Sequence, residues 1–127
     1  MITIVNCART PCTHYCGRES SYHKALVGPG GPPVNLSILG NPFWMRSELE
    51  RDEVVAKYRV HLWNRIKPGP LQDKEALRAL QSIPDGAILG CFCAPRACHC
   101  DVIKDAAVWL KAEKDNNRHP IGSKAGI

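Results

Sequence analysis

Ala87-Ile88-Leu89-Gly90-Cys91-Phe92-Cys93-Ala94-Pro95-Arg96-Ala97-Cys98-His99-Cys100-Asp101 passes from an apolar run, through a proline-marked turn, into the start of a helix. Residues 87–93 have the length and apolarity of a buried central strand. The segments on either side of it are helical in pattern, which implies a parallel sheet. Residues two apart on a strand share a face, so Cys91 and Cys93 point the same way. The chain then turns at Pro95 and enters a helix near Cys98-His99-Cys100-Asp101. A strand–turn–helix aims backbone N–H groups and the positive helix end at whatever lies above the turn. In open α/β sheets that edge is where ligands bind. The fold class expected is therefore α/β: one small domain with a mostly parallel central sheet flanked by helices, a Rossmann-like three-layer sandwich.

The rest of the chain fits around this core. Its 127 residues suffice for one hydrophobic core, and 44% apolar with 23% charged content excludes wholesale disorder. Ile2-Thr3-Ile4-Val5 reads as a first strand, with no basic leader before it. No window approaches the roughly 18 apolar residues of a membrane span, so no membrane partner and a cytoplasmic location are expected. The main helix is expected over 47–66, capped by Ser47 with Glu50, its core stripe being Val55, Tyr58, Leu62 and Ile66. A short helix follows over about 73–82, with Ala76, Leu77 and Leu80 inward. A last helix runs from Asp101 to about Glu113 and carries Val102, Ile103, Ala106, Val108, Trp109 and Leu110. Residues 19–39, holding Gly28-Pro29-Gly30-Gly31-Pro32-Pro33, read as a mobile surface loop without helix or strand. The ordered domain is thus 1–113, and 114–127 a polar, frayed tail.

Seven cysteines is a high count, and four of them fall between Cys91 and Cys100. Without a secretory signal this spacing points to metal binding or thiol chemistry, not to a disulfide framework. Three readings stay open. Zinc, which takes four thiolate or imidazole ligands, could be held by Cys91, Cys93, Cys98 and His99, with an iron–sulfur cluster as the second choice. Alternatively, Cys91-x4-Arg96 between strand and helix resembles the reactive-thiol loop of rhodanese-like sulfurtransferases. Or the cysteines are small buried apolar residues. Cys7, Cys12, His14 and Cys16 are a looser second set; a structural role is expected, or a joining of the first set across the sheet. His23, His61 and His119 show no partners and are expected to face solvent. Trp44, Trp63 and Trp109 are expected in the core or lining grooves.

The whole pattern resembles a small phage and bacterial family, the domain-of-unknown-function family DUF4326. Its members carry Tyr-x-Gly-Arg, then Gly-Asn-Pro-Phe, then a helix with an Arg and a Tyr, then Cys-Trp-Cys-x-Pro and Cys-His-x-Asp. These match Tyr15-Cys16-Gly17-Arg18, Gly40-Asn41-Pro42-Phe43, Arg51 with Tyr58, and Cys91-Phe92-Cys93-Ala94-Pro95 with Cys98-His99-Cys100-Asp101. Phe92 stands where the family has Trp, Cys100 where it has a small residue, and residues 19–39 look like an insertion. The resemblance implies an α/β sandwich, often of phage origin and then in the host cytoplasm, with no established reaction. It also implies that Arg18, Asn41 and Arg51 share the site with the cysteine turn.

Two guanidiniums can clamp a phosphate or carboxylate, and an amide can read a base or sugar edge. With the net charge of +5, this gives an expected anionic ligand, a nucleotide or nucleic acid. Asn41 is equally a turn residue before Pro42, and the arginines equally halves of ion pairs. If the protein is an enzyme, Cys91, Cys98, His99 and Asp101 are the catalytic candidates. If it is not, it is a metal-stabilised module engaging a host protein or DNA.

Overall fold

The computed structural model describes residues 1–93, 96 and 98–118, and for residues 20–22 and 115–118 the backbone alone. Four strands form one parallel sheet in the order β1-β4-β2-β3: β1 (Thr3–Asn6), β2 (His14–Tyr15), β3 (Val34–Asn35) and β4 (Ile88–Cys91). The helices are α1 (Arg51–Ile66), α2 (Lys74–Gln81) and α3 (His99–Arg118). β4 is central, as its apolarity requires. Thr3 to Asn6 pair with Ile88 to Cys91 on one side, and His14 and Tyr15 with Leu89 and Gly90 on the other.

The three helices pack on one another and close the larger core, in which Ile2, Cys16, Leu89 and Cys91 from the sheet meet Tyr58, Leu62, Leu80 and Ile103. Burying each large side chain of this kind contributes about 1.5–3 kcal/mol. The opposite face carries a thinner layer, in which Cys7, Cys12 and Tyr15 pack with Val5, Ala25 and Ile88. The β1–β2 connection forms part of this layer, since Cys7 and Cys12 lie directly over Gly90. A Cβ at Gly90 would stand 2.4 Å from Cys12 Sγ and 2.9 Å from Cys7 Cβ. Only a residue without a side chain lets the crossover pass that close to the central strand.

Several sequence expectations are corrected. The main helix begins at Arg51, because Ser47 is extended and makes no side-chain cap. A 3-10 turn, Glu48–Glu50, lies between Ser47 and the helix, and the Glu50 carboxylate takes the Arg46 N–H instead. Val54 is buried on α1 with Tyr58, Leu62 and Ile66, while Val55 packs only partly buried against the core. Residues 19–39 contain structure: 3-10 turns at Glu19–Lys24 and Ser37–Leu39, and β3. β3 forms because Thr13 O and Tyr15 O accept the Val34 and Leu36 N–H groups, and Leu36 and Leu39 then reach the core. Helix α3 runs on to Arg118; residues 119–127 of the expected tail, and His119, lie outside the described residues. Ala107 is buried on α3 and Val108 exposed. Trp63 and Trp109 meet edge to face at 5.7 Å along a half-exposed groove, and His61 packs against Phe43 and Tyr58.

Arg65 of α1 fixes the entry to α2. Its guanidinium donates to Asp73 Oδ2 (2.8 and 3.0 Å) and to Ile38 O, while Asp73 Oδ1 caps the helix by accepting from Ala76 N. The Ala76 N–H first, and Arg65 second, hold the Asp73 carboxyl below its usual range. A depressed carboxyl pKa contributes stability above the unfolded value of about 4, lost as pH falls through the folded one. Asp73→Ala should therefore cost about 1 kcal/mol at neutral pH. In denaturant titrations that deficit should shrink below about pH 4; a deficit constant with pH would contradict this account. Gly90→Ala should cost about 3 kcal/mol or more by forcing the crossover off the sheet. Adding Cys12→Ala should recover part of the loss, and strict additivity of the two changes would refute the proposed contact.

Candidate functional site

A cavity of about 320 Å³ opens at the C-terminal ends of β2 and β4. Its walls come from Gly17 and Arg18 after β2, Asn41 to Met45, the first turn of α1, residues 91–93 after β4, and the start of α3. Parallel strands bring these ends to one edge, which is why the site lies there.

Gly17 shapes the first wall. A Cβ there would lie 2.3 Å from the Tyr15 hydroxyl, which uses that space to donate to Arg18 O at 2.7 Å. Arg18 is thereby aimed into the cavity, where it donates to Phe43 O and lies 3.9 Å over the Trp44 ring. Among the described residues no carboxylate pairs with it. Asn41 uses Oδ1 to accept from Phe43 N, the turn before Pro42 that its context suggests, while also lining the cavity. Arg51 is differently placed. It donates two hydrogen bonds to the Glu48 carboxylate and lines the cavity that Cys93 also borders. Glu48 also pairs with Arg96 at the mouth, and the Arg51 hydrogen bond holds its carboxyl below the usual range.

The cysteines form the floor. Cys91 Sγ and Cys98 Sγ are 3.3 Å apart, and Cys91, Cys98 and Cys100 place their sulfurs within 4.8 Å of one another, all buried. This group could hold a metal ion. A tetrahedral ion with bonds of about 2.3 Å needs sulfurs about 3.8 Å apart, close to what is found. An iron–sulfur cluster needs its thiolates spread around a polynuclear core. Cys93 lies just past β4, outside this group, and lines the same cavity, partly buried. Cys16, just after β2, is buried in the same core as Cys100. Neighbouring sulfurs, Cys100 first, push the Cys91 thiol pKa down, and neighbouring sulfurs push those of Cys93 and Cys100 up.

The four expected metal ligands are thus placed differently from one another. Cys91 and Cys98 come together, Cys93 lines the cavity outside their group, and His99 does not join them. Its ring turns toward β2, where Nε2–H donates to Cys16 O at 2.6 Å beside the Tyr58 ring, and burial lowers its pKa. The sulfur that replaces it is Cys100, one position further along α3, buried toward the sheet. Asp101 faces away from the cavity chemistry: its Oδ2 accepts from Cys98 N, while Cys98 Sγ accepts from Cys100 N. Those two bonds cap α3 reciprocally. Arg96, the partner required for a rhodanese-like thiol, is exposed and paired with Glu48, and Cys91 is 1% exposed. The amide cradle that such a thiol needs, and the N–H groups expected over Pro95–His99, involve Ala94, Pro95 and Ala97, outside the described residues. In the N-terminal set, Cys7 and Cys12 lie on the other face of the sheet, where burial pushes their thiols up to about 12 and 11. Cys16 alone crosses to the main cluster.

Sequence reasoning passed over Cys100 and the aromatic wall of Phe43, Trp44 and Phe92. The helical step could not have found Cys100, since two steps of about 100° would turn it away from Cys98; the two meet because Cys98 lies just before α3 and not within it. Among known families, the profile described as "Domain of unknown function (DUF4326)" matches residues 5–109. No curated protein and no solved structure matches the chain.

Asp101→Ala should lower stability by about 1 kcal/mol, as loss of a cap does, while Asp101→Asn, still an acceptor, should retain most of it. Calorimetry decides: equal losses in the two variants would mean that charge, and not capping, is what Asp101 supplies.

Proposed function

The chain belongs to the DUF4326 family, whose description carries no activity, and we propose from its site that it binds a nucleotide-type anion above a metal–thiolate floor. The observation that carries this reading is Arg18. Its guanidinium lines the cavity without a carboxylate partner among the described residues, stacked on Trp44 and next to Asn41. A guanidinium backed by an aromatic ring favours phosphate, and the aromatic wall offers a base a surface to stack on. The volume lies at the lower end of ligand pockets and admits about one nucleotide. The floor supplies Cys91, Cys98 and Cys100, a soft set that favours zinc among the divalent ions of the cell.

A binding role fits better than acid–base catalysis. His99 and Asp101, the acid–base candidates, are both engaged, one to Cys16 O and the other to Cys98 N. The second reading, a metal-stabilised module that engages DNA or a host protein, draws on the same buried cysteine floor. It differs in leaving the cavity without a small ligand. Among the described residues no helix is long and apolar enough to cross a membrane.

Titration with ATP and with a short single-stranded oligonucleotide, followed by Trp fluorescence and calorimetry, separates the readings. ATP should bind, more weakly as salt rises, and Arg18→Ala should weaken it about tenfold or more. Binding of the oligonucleotide alone would favour the module. No binding of either, or ATP binding indifferent to Arg18 and to salt, would overturn the proposal.

A further inference from the structure

A second concave surface lies between α1 and α3, and it shares no lining residue with the cavity. Its volume is about 310 Å³, Leu62 and Ala106 are part of its floor, and Trp63 and Trp109 stand in its walls. The two tryptophans are 47% and 44% exposed, and Val60 and Val108 on the same two helices are exposed further. Contiguous open apolar surface of this kind marks an interaction site. The groove is also ordered in levels. Arg59 Nη2 donates to Asp105 Oδ2 across it at 3.2 Å. Four residues further along both helices, the Trp63 and Trp109 rings meet edge to face at 5.7 Å. Each level thus holds two mutually attracting groups, one from α1 and one from α3.

We propose that a second copy of this chain docks on the groove, the two copies related by a two-fold axis that runs along it. Rotation by 180° about that axis keeps each residue at its level and lays α1 of one copy on α3 of the other. Arg59 of each copy then faces Asp105 of the other, and Trp63 of each faces the other's Trp109, so the patch is complementary to itself. An axis across the groove would lay α1 on α1 and oppose like charges. Net charge points to the same face. The chain carries +5, so two copies repel over most of their surface. Here the charged lining residues among those described, Arg59 and Asp105, cancel. Their pair within one chain is open to solvent, 56% and 61% exposed, and holds little alone. Docking would shield it from water and so strengthen it. The 16 residues of α1 span about 24 Å, and two helices side by side about 20 Å. Each copy therefore contributes about 500 Å², and the total of about 1,000 Å² is the least that a specific interface needs. Such a dimer forms at micromolar and higher concentrations. It depends on neither the nucleotide nor the metal reading.

Sedimentation equilibrium of the full chain, from micromolar to millimolar concentration, tests this. The average mass should rise to twice that of the monomer. Arg59→Asp and Asp105→Arg should each weaken association about tenfold or more, because each opposes like charges at both contacts. Mixing the two variants should restore it, since a mixed pair has opposite charges at both contacts. Trp63→Ala should weaken association too, while Leu71→Ser, at an exposed apolar position outside the groove, should not. Circular dichroism checks that each variant is folded. The charge reversals alter exposed side chains, so they decide the matter should Trp63→Ala fail to fold. A chain that stays monomeric throughout overturns the proposal and leaves the groove to a different partner. Reversal variants that stay apart when mixed, or a dimer indifferent to both reversals, overturn it as well.

Discussion

The approach of Cys7 and Cys12 to the bare backbone of Gly90 is the contact on which the rest of the molecule depends. Parallel neighbours of one strand need a connection that returns the chain to its starting level, usually through a helix. Here residues 7–13 make that return across the face of β4, close enough that no side chain fits at Gly90. β1 and β2 can then both pair with β4, and all three strands end at the same edge. The opposite face is left free for the three α-helices. The cavity, the cysteine floor and the arginines all sit where that arrangement brings the strand ends together.

How much of this could be read from the sequence depended on the source of each element's stability. β4 and the α1 and α2 patterns were legible because their apolar spacing is internal to the segment. β2 and β3 were not, since two residues carry no periodicity and these strands exist through pairing with Leu89 and Gly90 and with each other. The same cause hid the order in residues 19–39, where glycine and proline suggest a loop. Its last residues are anchored by Tyr15 O, by burial of Leu36 and Leu39, and by the Tyr58 hydroxyl on Leu39 O. Ser47 and Glu50 have the spacing of a capping box, yet the chain enters α1 through a 3-10 turn and Glu50 bonds one residue earlier, at Arg46 N.

The site was legible to a similar degree and for related reasons. Strand parity suggested that Cys91 and Cys93 would share a face, but β4 ends at Cys91 and Cys93 lies in the bend beyond it, while the strand–turn–helix path brings Cys98 and Cys100 to Cys91. The choice between His99 and Cys100 could not be made from residue chemistry, because both bind zinc. It is settled by the angle at which α3 leaves the turn, which turns His99 to Cys16 O and Cys100 to the sulfurs. Asp101 looked catalytic beside a histidine, but its place in the first turn of α3 makes it a cap for Cys98 N. A polar side chain in the first turn of a helix answers to the unpaired N–H groups there before it answers to a ligand.

The arginines show why residue type alone misleads about charge. As a pair, Arg18 and Arg51 suggest a clamp closing on one anion. Arg51, however, gives two hydrogen bonds to the Glu48 carboxylate, so its charge is already offset. Arg18 has a carbonyl and a ring, neither of which carries net charge. A carbonyl and a ring orient a guanidinium without neutralising it, whereas a carboxylate does both, so of the two arginines it is Arg18 that presents its charge to the open cavity.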